Sequence, residues 1–357
     1  MSGRRVVPRA FPRALPRTLL RTFPVVTALA LATALTAGCA TPEPRVTRTA
    51  EEANELVRGE PAPSAASPYW VDPNSDAARQ VRTWEKEGRE ADAKLLRRIS
   101  GRPVADWPAW DDPAPQIRAA AKAASRTRKT ILLVAYNIPH RDCGLYSAGG
   151  AQDADAYRAW IGEFAAAVGD APATVILEPD ALPHIADGCT PPQHHAERYQ
   201  LLSEAVDTLK AQPNTKVYLD AGNPDWIEEP SKIAVPLQQA GIERADGFSL
   251  NVSNFQSNGR VKKYARLLSD SVGGAHYVID TSRNGNGPLP GGRAEAWCNP
   301  PGRGLGTPPT TDTGDDRLDA YLWIKRPGES DGTCRGGPPA GDWWPEYALG
   351  LARRAAS

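Results

Sequence analysis

The chain has 357 residues, with 42 basic and 42 acidic side chains, ten tryptophans and one methionine. Balanced charge removes any global electrostatic case for nucleic-acid binding, and the length suits one large α/β domain or two average ones. Frequent Trp, Gly and Pro fit a loop-rich protein with aromatic binding surfaces, about half of the tryptophans being expected as core filler.

Residues 1–22 are arginine-rich and carry no acid, and Phe23 to Ala37 form a mostly apolar run. A charged segment followed by an apolar one too short to span a bilayer is the pattern of an export signal. It ends Leu35–Thr36–Ala37–Gly38–Cys39, small residues before a cysteine as in a bacterial lipobox, with Thr36 where leucine is commonest. Residues 1–38 are therefore expected to be a signal peptide and Cys39 a lipidated membrane anchor, which makes the protein an exported envelope lipoprotein. A secreted protein with an incidental Cys39 is the alternative. Residues 39–67 are rich in Pro, Ala, Glu, Arg and Thr and read as a disordered tether. The catalytic domain is expected over 68–357, as a single domain and a monomer.

From Tyr69 onward the pattern alternates. Helix-like stretches lie near 75–87 (capped by Ser75), 89–99, 115–126, 153–168, 193–211, 231–240, 258–272 and 342–354. Strand-like runs lie near 131–136, 174–178, 216–219, 246–250, 276–280 and 319–325. This alternation predicts an α/β fold with parallel strands and crossover helices, as a barrel or an open sheet. A Gly/Pro-rich loop over 283–317 breaks the rhythm, and its length points to function.

Four apolar runs end on or shortly before an aspartate: Asp142, Asp180, Asp220 and Asp331. A carboxylate at the end of a buried strand is costly unless paired or used, and this edge of a parallel sheet is where ligands bind. Asp180 follows Glu178–Pro179 directly, and a neighbouring Asp142 carboxylate would keep it protonated as a general acid requires. Asp331 lies in Lys325–Arg326–Pro327–Gly328–Glu329–Ser330–Asp331. One acid held protonated and another ionised across a cleft is the arrangement of glycoside hydrolysis. Trp107, Trp226 and Trp297 lie in flanking loops where they can offer flat faces to sugar rings.

Besides Cys39, four cysteines remain, at 143, 189, 298 and 334, an even number that fits disulfides in an oxidising compartment. Three pairings are possible, and Cys143–Cys189 with Cys298–Cys334 is the simplest. The five histidines are scattered and no CxxC pair exists, so no metal or other cofactor is expected. No phosphate-binding glycine loop is present.

Seven ordered motifs carry a family resemblance: Tyr136–Asn137–Ile138–Pro139–His140–Arg141–Asp142–Cys143, Ile176–Leu177–Glu178–Pro179–Asp180–Ala181–Leu182, Tyr218–Leu219–Asp220–Ala221–Gly222–Asn223, Asn251–Val252–Ser253–Asn254–Phe255, Ile279–Asp280–Thr281–Ser282–Arg283–Asn284–Gly285, Trp297–Cys298–Asn299–Pro300 and Trp323 to Gly332. Over residues 68–355 the chain resembles glycoside hydrolase family 6, the inverting β-1,4-glucanases. The resemblance implies a distorted (β/α) barrel with its site across the C-terminal strand ends and a β-1,4-glucan substrate. It implies Asp180 as general acid, Asp142 as the carboxylate that tunes it and is linked to the attacking water, and Asp331 as a base. It implies Tyr136 beneath the distorted sugar, Trp107, Trp226 and Trp297 as platforms, and Asn251, Lys325 and Glu329 among the sugar contacts. The local cysteine pairing is also the one it implies. The chain departs from the family at Asn223, where histidine is frequent. It departs also in the loop after Asp142, where Ser147 is the nearest candidate for a water-positioning serine but Ala148 competes for the place.

Endo action is expected because the Cys298–Cys334 bracket leaves little chain for a roof over the cleft. An exo-acting enzyme, or a non-catalytic glucan-binding protein on a hydrolase scaffold, are the alternatives. With an anchor and a tether, a soluble or nascent glucan at the envelope is the expected substrate.

Overall fold

In a computed structural model, residues 67–291 and 295–355 are described. Residues 1–66, on which the expected signal peptide, Cys39 and most of the expected tether fall, lie outside them. The six strand-like runs form one all-parallel sheet in sequence order: β1 (Ile131–Ala135), β2 (Ala173–Leu177), β3 (Thr215–Asp220), β4 (Gly247–Leu250), β5 (His276–Asp280) and β6 (Leu318–Leu322). Around it run α1 (Asp76–Lys86), α2 (Glu90–Ser100), α3 (Ala114–Ser125), α4 (Ala154–Val168), α5 (Pro183–Ala186), α6 (His195–Lys210), α7 (Ser231–Gln239), α8 (Asn258–Ser271) and α9 (Pro345–Arg353). Ser75 caps α1 by accepting from Ala78 N, as its sequence position predicts.

The strands are apolar on both faces because both faces are covered. Alternate residues divide cleanly. Leu133, Val175, Leu177, Leu219, Phe248 and Ile279 point outward to meet Ile117, Phe164, Leu202, Leu237 and Leu268 of the surrounding helices. Leu132, Val134, Ile176, Tyr218, Val278, Ala320 and Leu322 form a separate inner cluster. An apolar cluster enclosed by the sheet itself is the interior of a curled wall. The seam between the edge strands β1 and β6 is splinted by residues 105–106. Ala105 N donates to Trp323 O, Asp106 N to Leu132 O, and Val134 N to Asp106 O, at 2.8–2.9 Å. The expected distorted barrel is thus six strands and a short splint. A satellite cluster of Trp84, Leu96 and Leu351 from α1, α2 and α9 packs on Trp323 beyond β6.

Two details differ from the sequence expectation. β6 stops at Leu322 rather than near 325, because the amides of Ile324 and Lys325 turn to the Asp280 carboxylate. The short α5, begun by Pro183 in the first turn, carries too few residues to show a period.

Candidate active site

Every strand delivers a polar residue to one edge of the wall, and the carboxylates there do two different jobs. Glu178, Asp220 and Asp280 are buried and accept backbone N–H groups of neighbouring strand exits. Glu178 takes the amides of Asn137 and Ile138 after β1, each at 2.9 Å. Asp220 takes Asp180 N at 2.9 Å and the Ser249 hydroxyl at 3.2 Å. Asp280 takes Ser253 N, Ser282 N and Lys325 N at 2.9–3.0 Å. Strand exits leave amides without ladder partners, so a carboxylate at each is a cap for its neighbour. Burial pushes the Glu178 carboxyl up to about 7 and raises Asp280 as well.

Asp142, Asp180 and Asp331 instead line a cavity of about 710 Å³. Glu178 and Asp180 both adopt left-handed backbone, with φ of 49° and 70°, conformations that persist only where surroundings over-determine them. The Tyr136 hydroxyl lies 3.4 Å from Asp180 Oδ2. Burial foremost, with the Asp142 carboxylate adding to it against the opposing pull of His184, raises the Asp180 carboxyl to about 6. Asp220 is raised too, by burial and then by Asp180. Burial, with Asp180 and Asp142 behind it, holds the Tyr136 phenol well above its ordinary range, so it stays a donor.

Asp142 sits in a 3₁₀ turn, Asp142–Gly144, and its Oδ2 accepts Ser147 N at 2.6 Å. Ser147 lines the cavity, but it is the Ser147 amide that holds Asp142. Arg141 shapes this loop: its guanidinium stacks 4.5 Å above the Tyr136 ring and donates to Tyr136 O and Ser147 O. The loop closes at Gly150, where a Cβ would stand 2.0 Å from Ile138 O. Cys143 is bonded to Cys189, which ties the Asp142 loop to the segment after Asp180, and Cys298 is bonded to Cys334. The buried Arg198 of α6 strengthens the first tie by donating to Pro139 O, His140 O and Ala181 O.

Asp331 is fixed from all sides. Its Oδ2 accepts Arg283 Nη1 at 2.7 Å and Asn299 N at 2.9 Å, and Lys325 Nζ lies 3.9 Å from Oδ1. Arg283 is fully buried, and such a cation needs its partner. Gly332, next to Asp331, has no room for a side chain because the Tyr146 ring lies against it.

Trp107, Trp226 and Trp297 all line the cavity, as do Tyr136, Asn223 and Lys325. Trp107 meets Tyr136 edge-on with centroids 5.4 Å apart and donates to Ile324 O. Trp226 donates to Asp187 Oδ2 at 2.7 Å. Trp297, 37% exposed, stands 6.0 Å from Tyr146. Asn223 uses Oδ1 to accept Asp225 N and Trp226 N, which fixes the start of the Trp226 turn. Two expected contacts are placed elsewhere. Asn251 is buried and spends its amide on Gln256 and Asp280 O, and Glu329 pairs with Arg326 behind Lys325; neither lines the cavity.

Sequence reasoning left out two cations of the site, Arg283 and His184. Arg283 stands three residues after Asp280, within a motif already quoted, and its charge opposite Asp331 was the available signal. His184 stands four residues after Asp180, at helical spacing. It is buried against Asp142 and Asp187, and it lines the cavity. Asp142, Asp180 and His184 bring one polar atom each within 4.8 Å of the others. A protonated imidazole gives this group its own counter-ion.

The model of the glycosyl hydrolases family 6 matches residues 64–355. The chain belongs to this family. It is 43% identical over 304 residues to endoglucanase A of Thermobispora bispora, covering 83% of this chain and 64% of the relative. It is 40% identical over 300 residues to endoglucanase A of Cellulomonas fimi, covering 82% of this chain and 62% of that one. The chain thus spans less than two thirds of the length of either relative. Among solved structures, the family 6 fold is matched by the endoglucanase Cel6 from Mycobacterium tuberculosis in complex with methyl-cellobiosyl-4-deoxy-4-thio-β-D-cellobioside. That match has a TM-score of 0.75 and 43% identity, over 81% of this chain and 98% of that one.

Proposed function

We propose that the chain is an endo-acting glycoside hydrolase that cleaves β-1,4-glucosidic bonds in cellulose or a related glucan with inversion. The observation that carries this reading is Asp180: a carboxyl raised by burial, faced by a phenol, at the floor of a cavity walled by three tryptophans. In this reading, the protonated Asp180 donates to the glycosidic oxygen as the C–O bond breaks. A water attacks the anomeric carbon from the opposite face. Tyr136 lies beneath the reacting sugar, and Lys325 donates to its hydroxyls.

Asp331 and Asp142 are the candidates to receive the proton of the water. Asp331 Oδ2 accepts Arg283 and Asn299 N, with Lys325 3.9 Å from Oδ1; Asp142 Oδ2 accepts Ser147 N, with His184 3.8 Å from Oδ1. Each carboxylate thus keeps an Oδ1 faced only by a cation, and either can take up the proton. Endo action is supported by the names of the two curated relatives and by the 36-residue bracket of Cys298–Cys334. The lipobox-like run ending in Cys39 and the Pro/Ala-rich stretch behind it support an enzyme held at the cell envelope. Reducing-sugar release from carboxymethylcellulose by wild type and Asp180→Ala tests the reading: undiminished release by the variant refutes it.

A further inference from the structure

His184 has no part in the reaction as written above, yet it is a buried cation beside the acid. Its ring is 6% exposed, in the four-residue helix α5 that follows Asp180. Nε2 lies 3.8 Å from Asp142 Oδ1 and Nδ1 lies 3.5 Å from Asp187 Oδ2. Asp187 in turn accepts Cys189 N at 2.8 Å and the Trp226 indole N–H at 2.7 Å. The Trp226 ring meets the imidazole edge-on at 4.8 Å. The imidazole is thus held between two acids by charge at 3.5–3.8 Å rather than by hydrogen bonds, one acid in the cleft and the other holding Trp226.

The charges facing this imidazole are few and one-sided. The β1 exit contributes Asp142, the β2 exit Asp180, and the end of α5 Asp187. Arg198, from α6 beneath the loop, is turned to main-chain carbonyls. The helix α7 packed beside α5 carries Lys232, which pairs with Glu229. A buried imidazole flanked by two carboxylates with a third nearby holds its proton. Burial opposes the charge, but the carboxylates of Asp142 and Asp187 outweigh it and raise His184 to about 9.

We propose that His184, as the imidazolium, is a positioning residue that clamps the Asp142 carboxylate in the cleft and supplies the positive charge against which the acid Asp180 titrates. The cation favours the ionised form of Asp180 and so limits how far burial can raise it. Tuning of the donor is then a balance, with Asp142 pushing it up and His184 pulling it down. This inference rests on the hydrolase reading for its catalytic consequence, whereas the charge state of the ring rests on the carboxylates placed around it.

The test uses the enzyme with two readouts. In His184→Asn, the alkaline limb of kcat/KM on a soluble β-1,4-glucan moves up by roughly one pH unit. At the optimum kcat falls while KM stays within about twofold. A purely structural role lowers activity at every pH without moving the limb, and an unmoved limb overturns the proposal. Independently, proton–nitrogen NMR of the wild-type ring, assigned by its loss in His184→Asn or His184→Gln, shows an imidazole still charged at pH 8. Asp187→Asn lowers that midpoint by about one unit and serves if the His184 variants do not fold. A wild-type ring that titrates near its ordinary value overturns the proposal. If Asp180→Ala stays active the assignment of Asp180 as the acid fails instead, and the NMR midpoint still decides the charge state of His184.

Discussion

Replacing Asp180 by Asn should make the protein both nearly inactive and more stable, and the gain should depend on pH. Burial raises the Asp180 carboxyl from 3.8 to about 6, so the folded state resists its ionisation. The sign follows from linkage. Below 3.8 the group is protonated folded and unfolded, and the resistance costs nothing. Between 3.8 and about 6 the unfolded chain releases the proton first and stability drains away; above about 6 the cost is complete. A rise of that size corresponds to roughly 3 kcal/mol. Asp180 is only half-buried, at the floor of an open cleft, and water screens part of that amount, which leaves about 1–2 kcal/mol. Asp180→Asn should therefore unfold at higher urea than wild type at pH 7.5, with a melting temperature up by roughly 2–5 °C. At pH 4 the two curves should nearly coincide. Glucan hydrolysis should fall by about 10²–10⁴-fold, the ordinary contribution of a positioned acid. A variant no more stable than wild type at pH 7.5, or equally stabilised at both pH values, would refute the reasoning.

The activity of wild type should decline as pH rises through about 6, where Asp180 loses its proton; a pH profile flat to 9 contradicts that assignment. Arg283→Leu strands Asp331 without its buried partner and should cost about 3–5 kcal/mol in urea unfolding. Cys189→Ser cuts the tie between the Asp142 and Asp180 loops. It should lower stability by roughly 2–4 kcal/mol and kcat with it, whereas an unchanged kcat would mean the loops hold their places without the bond. Trp297→Ala removes a half-exposed ring of the cavity wall and, if that ring stacks on a sugar as proposed, should raise KM about tenfold with kcat nearly unchanged, by initial-rate kinetics on cello-oligosaccharides.

The fold was legible because its signals were periodic. The apolar runs of β1 to β5 and the alternation of strand with helix required nothing beyond local pattern, and the strand ends fell within a residue or two. β6 ends sooner than its sequence suggests: Trp323 and Ile324, just past its end, are as apolar as a strand, and only the Asp280 carboxylate and Ala105, distant in sequence, turn them aside. The candidate site divided in the same way. Asp142, Asp180, Asp331 and the three tryptophans announce themselves by residue type and position. Asn251 and Glu329 look the same in sequence, and their commitment to Asp280 O and Arg326 shows only in three dimensions. The acids at the strand ends divide between two roles. Asp220, like Glu178 and Asp280, caps the amides of a neighbour, a task that no single strand reveals.

The central claim, that Asp180 protonates the departing sugar, is tested most directly by making protonation unnecessary. Rates of Asp180→Ala relative to wild type are compared on cellotetraose and on 2,4-dinitrophenyl β-cellobioside, whose phenolate leaves without a proton. The account predicts a loss of at least about a hundredfold on cellotetraose and a rate close to wild type on the activated glycoside. Equal losses on both substrates, or no loss on either, would contradict it.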